Sequence, residues 1–188
     1  GAPGAILHFP TVLGAVVPSY NVPGVTESLK FTGAVLAEIY LGKITKWNDP
    51  AIARLNEGVT LPPIEISPVF RADSSGTTFV WSDFLPKVSP EWRRLVGANR
   101  VSTIPVGLSV KGGSEGVSAT VTQTRGAIGY VDLSVATSTH LTSAYVKNAD
   151  GSFVPGSTDG VTAAAAAAVD KVPADFRAAP IINGAGAT

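Results

Sequence analysis

The chain has 188 residues, of which 45% are hydrophobic and only 15% charged, a composition that favours one folded domain and excludes a disordered chain. Its 14 basic and 14 acidic side chains give a formal net charge of zero, so no overall field would draw it to nucleic acid or to an anionic membrane. It has no cysteine, which excludes disulfides and thiolate metal sites.

Strand-like and helix-like runs alternate along the chain. Runs rich in β-branched residues predict strands at 6–9, 12–20, 64–70, 127–131 and 141–147. Apolar residues at helical spacing predict helices at 32–41, 50–56, 76–85, 90–96, 115–124 and 161–169. The stretch 148–151, which ends in Gly151, predicts a hairpin turn between Val146 and Phe153. This order predicts an α/β fold with helices on both faces of a mixed sheet, and no linker divides residues 1–188 into two domains.

Residues 71–78, Arg-Ala-Asp-Ser-Ser-Gly-Thr-Thr, are built like an anion site between a strand and a helix. Backbone N–H groups at the start of a helix lack partners within it, and the helix dipole favours an anion there. The hydroxyls of Ser75 and Thr77 would point at the same volume, and Gly76 lets a ligand approach the backbone closely. Arg71 adds a forked, permanently charged donor that suits a tetrahedral oxyanion.

The same residues have a simpler explanation. Asp73 or Ser74 can be an ordinary helix N-cap, with Arg71 as a surface charge. The string Arg-x-Asp-x-Ser-Gly-Thr-Thr-Phe is more specific than a cap, however. It resembles the phosphate-loop motif of the PstS family, the periplasmic phosphate-binding proteins of bacterial ABC transporters, to which the secreted DING proteins are related.

The resemblance extends along nearly the whole chain. Stretches that match the family in order and spacing lie at 9–17, 39–52, 105–107, 111–117, 126–131 and 172–177. It implies one lobe of a type II periplasmic-binding-protein fold, a three-layer α/β sandwich with a mixed sheet. Residues 1–188 would form a single domain, the second lobe, with both crossover strands at its ends. The chain has no methionine, so we expect a processed or excised segment.

By resemblance, Arg71, Ser75, Gly76 and Thr77 are the phosphate ligands. Asp73 would hold Arg71 in position, and Ser74 lies beside it as a supporting residue. The first lobe, with its Gly-rich loop and its Ser and Asp ligands, has no counterpart here, so half a site remains. Since an acceptor for the P–OH group is missing from that half, we expect phosphate and sulfate to bind within about tenfold of each other.

The function that the resemblance implies is binding of inorganic phosphate by the solute-binding component of an ABC importer. Such a protein has no catalytic activity, needs no cofactor, works in the periplasm or another extracytoplasmic location, and meets a membrane permease. The missing first lobe or a second copy would cover the open cleft. Two alternatives stay open. One is a truncated paralogue that acts as a scaffold or interaction domain with a vestigial anion loop, and the other is a hydrolase of phosphate esters.

Other candidate sites are weaker. The stretch 112–116 could supply more backbone N–H groups, but a helix N-cap at Ser114 explains it equally well. His8 and His140 have no partners at metal-ligand spacing, and the aromatic residues do not alternate with basic ones as in a nucleic-acid platform. The tail 181–188 fits a return strand better than a permuted phosphate loop, so Thr188 is not a predicted ligand.

Overall fold

The computed structural model describes residues 12–97 and 104–173. The strands within these ranges are β1 Val16–Tyr20, β2 Lys30–Phe31, β3 Ser67–Arg71, β4 Leu108–Val110, β5 Ala127–Asp132, β6 Thr142–Ser143, β7 Tyr145–Lys147 and β8 Phe153–Val154. The helices are α1 Gly33–Tyr40, α2 Pro50–Ala53, α3 Gly76–Val88, α4 Pro90–Leu95, α5 Gly113–Gln123, α6 Leu133–Ser138 and α7 Thr158–Ala166, followed by a 3-10 turn at Val169–Lys171. The predicted strand at 6–9, His8 and the tail 181–188 lie outside the described residues.

The main sheet is mixed, with strand order β4-β3-β5-β1-β6. Strand β3 runs parallel to both β4 and β5, whereas β1 is antiparallel to β5 and β6. Because β3, β4 and β5 are parallel, their carboxyl ends meet at one edge of the sheet. A second, three-stranded sheet has the order β2-β7-β8.

Side chains of the main sheet alternate between two hydrophobic clusters, one on each face. On β5, Ile128 and Tyr130 belong to the larger cluster, whereas Ala127 and Val131 belong to the smaller one. The larger cluster contains every buried aromatic residue of the described ranges, from helices α1, α3 and α4, from strands and from the loop before α2: Tyr20, Phe31, Tyr40, Trp47, Trp81, Trp92 and Tyr130. The smaller cluster packs α5 against the opposite face through Val117 and Val121. The predicted three-layer α/β sandwich with a mixed sheet is confirmed.

Two hydrogen bonds fix Tyr20 in the larger cluster. The Tyr20 hydroxyl donates to the Glu27 carbonyl at 2.7 Å and accepts from the Leu29 N–H at 2.8 Å. Burial raises the pKa of Tyr20 to about 12 and that of the fully buried Tyr40 well above its ordinary value. A phenol is neutral near pH 7 even without this shift, and burial keeps both side chains uncharged to still higher pH.

The hairpin prediction at 148–151 is confirmed, since β7 pairs with β8 and Gly151 has a φ of +89°. The single strand predicted at 141–147 is wrong, because its residues belong to two sheets. The Ala144 N–H bonds to the Pro18 carbonyl of the main sheet at 2.9 Å, and the next N–H, of Tyr145, bonds to Leu29 beside the second sheet at 2.8 Å. A local pattern carries no information about such a change of partner.

Several element ends also differ from prediction. Helix α3 continues three residues beyond 85, to Val88, with Pro86 inside it. The helix predicted at 50–56 ends at Ala53. Strands β2 and β4 and the six-residue α6 were not predicted, because runs this short carry little periodicity. No helix in the described ranges is both long and apolar enough to cross a bilayer.

Candidate anion-binding site

Three strand ends and two helix starts converge at the edge where β3, β4 and β5 finish. The strands end at Arg71, Val110 and Asp132, and the helices α3 and α5 begin at Gly76 and Gly113. The Ala72 N–H donates to the Val110 carbonyl at 2.8 Å and keeps the loop after β3 on this edge. In open α/β sheets, ligands bind in the crevice beyond the carboxyl ends of the strands. Residues 71–78 lie at such a position.

The N-cap of α3 is Ser75, and neither Asp73 nor Ser74 has that role. The Ser75 Oγ accepts from the Thr78 N–H at 3.1 Å, which leaves its own proton available for donation. The N–H groups of Gly76 and Thr77 occupy the first two helical positions and have no partner inside the helix. A Cβ added to Gly76 would meet no atom within 4 Å, so this side of the helix start is open.

Arg71 is held by Asp73 in a two-pronged ion pair. Its Nε donates to Oδ1 at 2.9 Å, and its Nη2 donates to Oδ2 at 2.5 Å. The Arg71 side chain is 11% exposed and that of Asp73 is 39% exposed. The hydrogen bond from Arg71 lowers the pKa of the Asp73 carboxyl, and the same bond raises the pKa of Arg71. Asp73 thus fixes the direction of the guanidinium, whose Nη1 donors remain for a ligand.

Sequence reasoning missed Asp132, the last residue of β5. Its Oδ2 accepts from the Ser114 hydroxyl at 2.8 Å, and its two oxygens lie 3.4 and 3.3 Å from the Thr77 hydroxyl. The carboxylate therefore ties the start of α3 to the start of α5. A signal was available, since Asp132 follows the apolar run 127–131 as Arg71 follows 64–70, and both runs were predicted strands.

The prediction of an N-cap at Ser114 is wrong. The N-cap of α5 is Gly112, in the left-handed conformation with a φ of +92° and without a side-chain bond. Ser114 lies inside the helix, is 4% exposed and donates its proton to Asp132. Gly116 permits this tight start, because a Cβ there would stand 2.0 Å from the Lys111 carbonyl oxygen.

An aromatic contact connects residues 71–78, here called the anion loop, with the core. The Tyr130 hydroxyl lies 2.9 Å from the Thr78 hydroxyl and accepts from the Arg71 N–H at 3.4 Å. The Trp81 ring stacks on the Tyr130 ring, with centroids 5.0 Å apart and planes inclined by 16°. Trp81 is thus two contacts away from the loop that would hold an anion.

We predict that Trp81 reports anion binding. Phosphate or sulfate bound at the start of α3 should change the field at Tyr130 and at the indole stacked on it. Tryptophan emission, titrated against either salt, should change in the wild type and in Trp92→Phe, but not in Trp81→Phe. Trp92 is the matched control because it is buried in α4, apart from the loop. If the emission of Trp81→Phe changed on titration as much as that of the wild type, the prediction would be wrong.

The described residues contain no group of three or more His, Asp or Glu side chains close enough to hold a metal ion. His140 lies in the turn after α6 with a φ of +55° and is exposed. The described part of the site thus offers hydroxyls, backbone N–H groups, one guanidinium and two carboxylates.

Comparison with known proteins identifies the family. A family model described as a PBP superfamily domain matches residues 2–185. A phosphate-binding protein PstS from Pasteurella multocida is 47% identical over 162 residues, which cover 86% of this chain and 47% of the relative. The chain spans about half the length of the curated relatives that it matches.

Solved structures agree on the fold. A phosphate-binding protein from Stenotrophomonas maltophilia superposes with a TM-score of 0.64 at 23% identity, over 96% of this chain and 54% of that one. A high-affinity periplasmic phosphate-binding protein, PfluDING, bound with phosphate, superposes with a TM-score of 0.56 at 20% identity, over 94% of this chain and 51% of that one. The resemblance indicated by the motifs is confirmed: the chain belongs to the PBP superfamily and is a relative of the phosphate-binding proteins PstS.

Proposed function

We propose that this chain binds inorganic phosphate as part of the substrate-binding component of an ABC phosphate importer. The observation that carries the proposal is the start of α3. There the free N–H groups of Gly76 and Thr77, the Ser75 hydroxyl proton and the guanidinium of Arg71 all belong to one short loop at the open edge of the sheet. Such an array matches a tetrahedral oxyanion, because it offers both fixed dipoles and a forked charge.

Two further points support phosphate as the ligand. The relative from Pasteurella multocida is named a phosphate-binding protein, and PfluDING was solved with phosphate. In addition, Asp73 orients Arg71 through both of its oxygens, so the charge is already aimed before an anion arrives. A pre-oriented donor loses less side-chain entropy on binding than a free arginine would.

The chain would supply half of the complete site. It spans about half the length of its relatives, and the edge that carries Gly76 is open. We propose that residues 1–188 form one domain, the second lobe, because the two clusters pack on opposite faces of the same sheet. A first lobe would close over the anion and remove it from water, and the closed form would meet the permease outside the cytoplasm.

Binding without catalysis is the simpler use of these groups. The Ser75 oxygen accepts from a backbone N–H, and no described side chain approaches it as a base. The Thr77 hydroxyl donates to the Asp132 carboxylate at 3.3–3.4 Å, and this bond sets the direction of its proton. A carboxylate is a much weaker base than the histidine or amine that activates a hydroxyl nucleophile, so neither Ser75 nor Thr77 is arranged as an activated nucleophile.

The proposal predicts weak but specific binding by the 188-residue chain alone. Phosphate should shift the amide resonances of Ser75, Gly76 and Thr77 in a saturable manner. The dissociation constant should be about 1 mM or weaker, which corresponds to about −4 kcal/mol. The reason is that an open face leaves the anion partly hydrated, so that the donors of this one chain replace only part of the water around it.

Sodium chloride at matched ionic strength is the control, because it screens charges without offering a tetrahedral oxyanion. If phosphate leaves the three amides unshifted, the proposed function is wrong. If the monomer binds phosphate with a submicromolar constant, the half-site part of the proposal is wrong, since this chain would then enclose the anion by itself.

A further inference from the structure

One carboxylate at the candidate site has no part in the function proposed so far. Asp132 ends β5 and accepts from two hydroxyls, that of Ser114 at 2.8 Å and that of Thr77 at 3.3–3.4 Å. Thr77 is 7% exposed and Ser114 is 4% exposed, so little water competes with their hydroxyls for Asp132. An ionised carboxylate only accepts, and therefore each hydroxyl points its proton at Asp132.

This arrangement decides what Thr77 can offer a ligand. A hydroxyl has a single proton, and once Thr77 gives it to Asp132, its oxygen presents lone pairs in every other direction. The Thr77 side chain then suits a ligand that carries an O–H group. The negative charge of Asp132 also favours a protonated ligand. It repels a fully ionised oxyanion more strongly than an oxyanion whose O–H group is directed towards it.

Asp73 cannot take this role. Both of its oxygens accept from Arg71, at 2.9 and 2.5 Å. Asp132 is not part of any ion pair among the described residues, and Arg71 interacts with it only through their charges at longer distance. Of the two carboxylates at this edge, Asp132 alone bonds to a hydroxyl of the anion loop, through Thr77 of α3.

We propose that Asp132 is a specificity-determining residue that makes this site prefer a protonated oxyanion. It holds the Thr77 hydroxyl as an acceptor for the P–OH of hydrogen phosphate. The inference rests on the proposed function and refines it. At neutral pH phosphate keeps at least one proton and sulfate keeps none, so sulfate would leave the Thr77 oxygen facing another lone pair. The expectation of near-equal binding, which rested on donors alone, is thereby replaced.

The test is a pair of titrations of the 188-residue chain near pH 7, with phosphate and with sulfate, followed at the Ser75 and Gly76 amides. In the wild type we expect phosphate to bind more than about tenfold more tightly than sulfate, a gap of about 1.4 kcal/mol. In Asp132→Asn the ratio should fall to about threefold or less, because the amide Nδ2 can donate to Thr77 and free its proton for any oxyanion. Arsenate should follow phosphate, and selenate should follow sulfate.

Two further variants separate selectivity from a merely structural tie. Ser114→Ala removes the shorter hydrogen bond to Asp132 and should keep the wild-type ratio of phosphate to sulfate affinity. If Asp132 only tied α3 to α5, that tie would be lost in Ser114→Ala as well as in Asp132→Asn, and both variants would change the ratio alike. Thr77→Val should lower the ratio by itself, and adding Asp132→Asn to it should lower the ratio further by less than Asp132→Asn does in the wild type, since only the direct effect of the charge remains. This second route keeps the proposal open to test if Asp132→Asn folds poorly.

The outcomes are distinct. If phosphate shifts the loop amides but its advantage over sulfate survives in Asp132→Asn or in Thr77→Val, the inference is overturned and the proposed function stands. The inference is also overturned if Ser114→Ala lowers the ratio as much as Asp132→Asn does. If neither anion shifts the amides of the wild type, the proposed function itself fails.

Discussion

Replacing Arg71 with alanine is expected to remove most of the phosphate affinity of this chain. Arg71 supplies the only positive side chain of the loop 71–78, and a hydrogen bond to a charged group contributes about 1.5–3 kcal/mol. The loss should therefore be about tenfold to a hundredfold in the dissociation constant, which moves a millimolar constant to about 10–100 mM. Phosphate-induced shifts of the Ser75, Gly76 and Thr77 amides, followed as a function of concentration, measure this directly.

Lys111 provides the matched control, because it is also a cation at the same edge of the sheet but is exposed and lies outside the loop. Lys111→Ala should weaken binding by less than about threefold, as expected of a screened charge. Arg71→Lys tests geometry, since it keeps the charge and loses the fork that Asp73 orients. If wild-type shifts persist in Arg71→Ala, the backbone N–H groups of α3 dominate binding and the assigned role of Arg71 is wrong.

The anion loop was predictable because its information is local. The change from the strand period to the helix period, with Gly76 and two hydroxyl residues at the junction, located the start of α3 to the residue. The residues in that loop are consecutive, so no knowledge of the sheet was needed to place them together. Their role as phosphate ligands remains a prediction. Only the choice of cap was wrong, because Asp73, Ser74 and Ser75 are all competent caps and the pairing of Asp73 with Arg71 removes one of them.

Asp132 was not predictable in the same way. It is 55 residues from Thr77 in sequence, and the two meet because β5 lies beside β3 in the sheet. Strand order depends on which apolar faces pack together, and that information is not present in any single stretch. The divided strand at 142–147 has the same cause, since Ala144 and Tyr145 bond to partners more than a hundred residues away, at Pro18 and Leu29. Patterns of period two identify strands but do not choose their neighbours.

Replacing Gly126 with alanine is expected to destabilise the fold severely. Gly126 has a φ of +79°, which costs an L-residue about 1–2 kcal/mol, and a Cβ there would stand 2.3 Å from the Glu65 carbonyl oxygen. Its own backbone cannot shift freely. Its N–H donates to Asn21 at 2.8 Å, and its carbonyl accepts from the Ser67 N–H at 2.9 Å and from the Trp47 indole at 3.0 Å. Relief of the clash must therefore disturb β1, β3 or the aromatic core, and we expect the free energy of unfolding to fall by about 4 kcal/mol or more.

Gly24→Ala separates backbone strain from the clash. Gly24 has nearly the same φ, +81°, but a Cβ there would meet nothing within 4 Å, so only the cost of the left-handed conformation remains, about 1–2 kcal/mol. Urea unfolding followed by circular dichroism measures both variants against the wild type, for which the single-domain proposal predicts one cooperative transition. A loss of 4 kcal/mol is a large part of the 5–15 kcal/mol typical of a domain, so the Gly126 variant should unfold at low urea concentration. Equal losses in the two variants would mean that the Glu65 carbonyl can move aside, and that the junction of Gly126 with β1, β3 and Trp47 is less rigid than its hydrogen bonds indicate.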